Sequence, residues 1–233
     1  FPRALVEDVI ARSRRSFTLH GIDPRHDIEI GGRRVHTGTG GAAPTIMDFE
    51  TGRYRESTVA DLYDIARLVD RLDHIHWYHR SVVARDARTI LDLDMNTTYA
   101  CLSGTTKSIA VSYTDGASVR AVQPMLDAVA GGEGRHRARP FCTAVCCHVV
   151  PPMRFATESC DALEAAVLAG MPILGRYVGV QAGHALTGRL LARLFETPGA
   201  SEVVTLTPAQ IARLPGAGLH ASDLDRGRLP LSA

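Results

Sequence analysis

Lys107-Ser-Ile-Ala-Val-Ser-Tyr113, Phe141-Cys-Thr-Ala-Val-Cys-Cys-His-Val-Val150 and Met171-Pro-Ile-Leu-Gly-Arg-Tyr-Val178 are three short apolar runs, and their spacing decides the fold. Each has the length of a strand, and the second is β-branched and closed off by Pro140 and Pro151. Runs of this kind read as strands buried on both faces. Between them, Val119 to Ala130 and Glu158 to Ala169 carry helical patterns, stopped by Gly131-Gly132 and by Gly170. Strand, helix, strand, helix, strand makes two successive βαβ units. That order predicts an α/β fold on a parallel sheet, either a barrel or a doubly wound sheet.

Working outward toward the N-terminus, Ser57 to Leu72 is the clearest helix. Val59, Leu62, Tyr63, Ala66, Val69 and Leu72 line one face, and Thr58 with Asp61 has capping-box spacing. A second helix is predicted over Ile90 to Leu102 and a strand end over His74 to His79. Pro2 to Ser13 reads as a short amphipathic helix. Asp27 to His36 reads as a hairpin around Gly31-Gly32. Gly38 to Pro44 reads as a loop, and Thr45 to Phe49 as a strand before the turn Thr51-Gly-Arg53. Toward the C-terminus, Thr187 to Phe195 reads as helical. The last twenty or so residues, broken by Pro215 and Pro230, read as poorly structured.

Composition excludes several classes of protein. Of the 233 residues, 45% are hydrophobic and 22% charged, an ordinary globular balance. Lys and Arg number 26 against 25 Asp and Glu, a net charge of +1. No overall field therefore argues for nucleic acid or for an anionic membrane as partner. The longest apolar candidate for a membrane span, Ala162 to Leu174, is short and interrupted by Glu164, Gly170 and Pro172. Five cysteines do not make a disulfide framework in a chain of this size, and a reducing cytoplasm is the simple expectation. The chain does not begin with Met, and it reads as a partial one.

Familiar motifs fail on physical grounds. Gly38-x-Gly40 lacks the third glycine of a dinucleotide fingerprint, since Ala43 stands in its place. Gly104-Thr-Thr-Lys107-Ser108 echoes a phosphate-binding loop, but Thr106 replaces the glycine before the lysine and Lys107 starts a strand. His74-x-His76-x-x-His79 places three imidazoles within six residues, which with Asp86 outlines a metal-dependent hydrolase as the alternative reading. Ordinary surface or pocket-lining histidines are the plainer one. Cys142, Cys146 and Cys147 with His148 sit on a packed strand, where cysteine serves as a small hydrophobe. Trp77-Tyr78 is the only adjacent aromatic pair; it suits either an aromatic wall for a methylated ammonium ion or plain core packing.

Three groups of residues, in this order and spacing, resemble the trimethylamine:corrinoid methyltransferase family. The first is Gly40-Gly-Ala-Ala-Pro-Thr-Ile-Met-Asp48 with Thr51-Gly-Arg-Tyr-Arg55, Thr58 and Asp61. The second is Thr105-Thr-Lys-Ser108. The third is Arg139-Pro-Phe with Pro151-Pro-Met-Arg-Phe155 and Ala169-Gly-Met-Pro172. The resemblance covers residues 1–183, and it implies a (β/α)8 TIM-barrel type of fold, here incomplete. Residues 184–233 form a divergent tail after Gln181-Ala-Gly183. An incomplete barrel leaves a sheet edge open, which invites pairing with a second copy.

The same resemblance implies transfer of a methyl group from trimethylamine, glycine betaine or a similar amine. The acceptor is the cobalt of a corrinoid (cobalamin) carried by a separate corrinoid protein, so no cofactor is expected on the chain itself. By position, Trp77, Tyr78 and Tyr113 are the amine-facing candidates. His79, His148 and Arg154 are candidates to meet a carboxylate if the substrate is a betaine. No catalytic residue and no metal ligand is assigned, and a non-catalytic barrel remnant is the other alternative.

Overall fold

The computed structural model describes residues 2–12, 16–150 and 154–177. The tail, with the helix expected over Thr187 to Phe195, lies outside the described residues. Helix α1 (Arg3–Arg12) leads into β1 (Phe17–Leu19), a short 3-10 turn, β2 (Ile28–Ile30), β3 (Thr45–Met47) and β4 (Tyr54–Glu56). Then come α2 (Val59–Asp70), β5 (Trp77–His79), α3 (Ile90–Gly104), β6 (Ser108–Ser112), α4 (Gly116–Val129) and α5 (Arg135–Ala138). The described part closes with β7 (Cys142–Val150), β8 (Arg154–Phe155), α6 (Thr157–Leu168) and β9 (Ile173–Tyr177). No helix among the described residues is long and apolar enough to cross a membrane.

Strands β5, β6, β7 and β9 form a parallel sheet in their order along the chain, and β8 pairs antiparallel with the end of β7. The helices between these strands pack in series, α2 on α3, α3 on α4 and α4 on α6. Because side chains alternate along a strand, the register sorts them into two faces. Tyr78, Ile109, Val111, Cys142, Ala144, Cys146 and Ile173 face the helices and build the main core with Val119, Val122, Leu126, Ala162 and Ala166. Trp77, His79, Ser108, Ala110, Ser112, Thr143, Val145 and Leu174 point the other way.

Local chemistry explains where the helices start. Thr58 and Asp61 form the expected capping box on α2. Thr89 caps α3 and Asp115 caps α4, each through a side-chain oxygen that accepts an N–H of the first turn. Gly170, at φ 73°, ends α6 in the left-handed conformation that glycine adopts at least cost.

The hairpin expected over Asp27 to His36 is not formed. β2 pairs instead with β1, Phe17 opposite Ile30, and the chain beyond Gly31-Gly32 runs on to the edge of β5. Asp27 sets this arrangement. Its carboxylate accepts the Gly21 N–H at 3.0 Å, bonds His20 Nδ1 at 2.9 Å and pairs with Arg139. A contact with a residue more than a hundred positions away overrides the local turn signal. The apolar stripe of α1 also departs from expectation: Leu5, Val6, Val9 and Ile10 are all exposed.

Lys107 joins α2 to the sheet. Its ammonium is almost wholly enclosed and donates to the carbonyls of Val69 at 2.7 Å, Leu72 at 2.7 Å and Ile75 at 2.6 Å. Those carbonyls lie at the end of α2 and in the link to β5, where those of Val69 and Leu72 also accept the N–H of Leu72 and of Ile75. Burial pushes the Lys107 pKa below its usual value, while Asp70 and Asp73 pull it back up. Asp70 in turn accepts from the Thr106 N–H at 2.7 Å and from the hydroxyls of Thr105 and Thr106. The loop that echoes a phosphate-binding motif thus has its anion supplied by Asp70. Next to it, a Cβ on Gly104 would come within 2.4 Å of the Ala66 Cβ, so only glycine lets α3 press this close to α2.

One stability measurement follows from these contacts. Replacing Lys107 with Met removes three hydrogen bonds from a charged donor and is expected to cost about 2–4 kcal/mol in urea denaturation; an unchanged midpoint contradicts the assignment.

His136 gives a pH dependence. It is fully buried, its Nε2 accepts the Cys142 N–H at 3.3 Å, and burial pushes its pKa down from 6.5 to about 4. Between those values the unfolded chain holds the extra proton. Stability from this residue is therefore full above pH 6.5 and drains as pH falls toward about 4, by roughly 3 kcal/mol in all. His136→Gln should flatten that part of the profile, and a variant with the wild-type slope there excludes His136 as its source.

Candidate functional site

The candidate site is the sheet face turned away from the helices. Among the described residues its largest side chains are Trp77 and His79, whose rings stack 6.2 Å apart with planes 16° from parallel. The strand beside them, β6, contributes small side chains to this face, Ser108, Ala110 and Ser112. Thr143 and Val145 follow on β7 and Leu174 on β9. The face thus combines one indole, one imidazole and a floor of small or apolar groups.

The segment Thr37 to Ala43 holds β5 from its outer edge. The His76 N–H donates to the Thr37 carbonyl at 2.8 Å, and the His79 N–H donates to Thr39 Oγ1 at 2.8 Å. Thr39 Oγ1 also donates to the His79 carbonyl at 2.6 Å, so both backbone polar groups of this residue are held by one hydroxyl on the outer edge. A Cβ on Gly38 would lie 2.2 Å from the Trp77 indole, and one on Gly41 would lie 2.0 Å from the Arg80 carbonyl. These glycines let one chain lie directly on the next, the ordinary meaning of glycine where backbone comes this close.

The six residues singled out by sequence do not gather in one place. Trp77 and His79 share the face described above. Tyr78 is fully buried on the opposite side, where its hydroxyl donates to the Leu62 carbonyl at 3.2 Å. Tyr113 is also buried among the helices, its hydroxyl 3.3 Å from Thr98 Oγ1 and 3.5 Å from Cys142 Sγ. Burial pushes both phenols well above the usual tyrosine range. His148 lies on β7 and Arg154 on β8, and their side chains fall outside the described residues.

Trp77 stands low on the sheet, pairing with Ser108, the first residue of β6. The chain runs on past His79, with the Arg80 N–H donating to the Ala110 carbonyl at 3.1 Å and Val82 bridged to Ala43. The carboxyl rim on this side is therefore near Ser81 to Val83. Alternation adds Ser81 to the same face as His79, a residue the sequence pattern does not flag.

The metal reading loses its geometry. Among the described residues no group of three His, Cys, Asp or Glu side chains could hold a metal ion. His76 Nδ1 instead accepts the Thr37 N–H at 3.0 Å, and Asp86 accepts the Val59 N–H at 3.0 Å at the start of α2.

Two charged groups lie on the helix side, near the carboxyl ends of β5 and β6. Asp94 is enclosed and accepts the Thr114 N–H at 3.0 Å; burial raises its pKa, and the nearby Arg80 opposes that rise. The β6–α4 loop is held again at Gly116, whose N–H donates to Asp161 of α6 at 3.0 Å.

Several of the residues behind the family resemblance prove to be joints of the scaffold. Arg55 grips Asp61 through two hydrogen bonds of 2.7 Å and also reaches Asp48, tying the β3–β4 hairpin to the first turn of α2. The Arg55 guanidinium holds the Asp61 carboxyl down at about 2. Lys107 and Arg139 serve as described above.

Four parallel strands in chain order, with helices packed in series, define an α/β protein of the βαβ-repeat class. Residues 1–181 match the family described as trimethylamine methyltransferase (MTTB), and the chain belongs to that family. It is 27% identical over its whole length to the trimethylamine methyltransferase MttB of Desulfitobacterium hafniense, covering 47% of that protein. It is 23% identical to MttB1 of Methanosarcina mazei, covering 48%, and 23% identical to MttB of Methanosarcina barkeri, also covering 48%. The chain spans about half the length of these relatives.

Thiol reactivity offers a check on the two faces of the sheet. Cys101, Cys142 and Cys146 are buried, and burial pushes the thiol of Cys142 up to about 12 and that of Cys146 up to about 11. Cys147 and Cys160 are partly exposed. Native-state alkylation followed by peptide mapping should label Cys147 and Cys160 and spare the other three until the chain unfolds. Early labelling of Cys142 contradicts the assignment of the helix-facing side.

Proposed function

We propose that this chain is part of a methyltransferase that takes a methyl group from a methylated amine, trimethylamine or glycine betaine, and passes it to the cobalt of a corrinoid protein. What carries the proposal is family membership over residues 1–181. The strand order supports a barrel as its frame. Sequential parallel strands with helices packed in series are the staves of a singly wound sheet, whereas a doubly wound sheet reverses its order at a switch point. In such a frame the face bearing Trp77 and His79 is the interior one.

A methyl group on a positively charged nitrogen departs without its bonding electrons, which stay on nitrogen as the amine leaves. The corrinoid protein is the co-substrate that supplies the nucleophile accepting the methyl group. The protein's own task is to bind the cation, keep water out and hold the methyl carbon in line. Trp77 suits the first task, because an indole face attracts an alkylammonium ion. The side chains beside it on β6, Ser108, Ala110 and Ser112, are small. His79 supplies a polar ring stacked beside the indole.

Trp77 is the sole tryptophan, so intrinsic fluorescence reports on this face directly. Titration with tetramethylammonium should quench or shift it, and Trp77→Leu should weaken binding roughly tenfold by calorimetry. Tyr113→Phe should leave the affinity unchanged, since that ring lies among the helices. A silent indole, or equal affinity in Trp77→Leu, removes Trp77 from the site. The activity itself is checked by incubating the methyltransferase of which this chain is part with amine and reduced corrinoid protein. Methylation of cobalt supports the proposal; its absence with both trimethylamine and glycine betaine contradicts it.

A further inference from the structure

We draw no further inference here: the strongest candidate, the enclosed side-chain cluster of Arg80, Asp94 and Ser118 between α3, α4 and the sheet, lies on the helix-facing side away from the candidate site, and nothing in the structure shows what ligand would reach it.

Discussion

A single buried ammonium group holds the described fold in register. Lys107 stands at the start of β6 and gathers three carbonyls from the end of α2 and the link to β5. A lysine in such a place has to satisfy all of its donors, because an enclosed charge without partners is costly. With all three used, the end of one helix, the approach to one strand and the beginning of the next become one rigid corner. Asp70 completes that corner by taking the hydroxyls and the N–H of Thr105 and Thr106. The height of β5 against β6 follows, and with it the positions of Trp77 and His79.

The same logic separates scaffold from site. Arg55 with Asp48 and Asp61, Lys107 with the α2 carbonyls, and Arg139 with Asp27 are charged groups at joints between elements. Their geometry is demanding, and no apolar substitute makes the same bonds. The face away from the helices is built differently, from a stacked indole and imidazole over small residues. Thr39, Gly38 and Gly41 bring a flanking segment close enough to hold β5 firmly.

Much of this architecture was legible from local pattern alone. Helices α2, α3, α4 and α6 and strands β6, β7 and β9 fall where periodicity and the stopping residues put them, because each signal acts within a few residues. The failure of the expected hairpin is one of distance. The Asp27–Arg139 pair redirects β2, and β1 is a three-residue strand too short to announce itself. The faces of the sheet were only half legible. Alternation says that Tyr78 points opposite to Trp77 and His79, but which side the helices cover is decided by the path of the crossovers. Tyr78 and Tyr113 therefore look as plausible in sequence as Trp77, and only packing shows that they belong to the core. The height of Trp77 depends on its pairing with Ser108, thirty-one positions away along the chain, which no local window contains.

Methylated nitrogen is proposed to be received on the face bearing Trp77 and His79. A crystal structure of the chain soaked with a tetramethylammonium salt tests that claim most directly. The cation should sit over the Trp77 indole, within about 6 Å of the ring centre, on the side away from the helices. A cation lodged among the helices near Tyr113, or an indole face that stays empty at saturating salt, would contradict it.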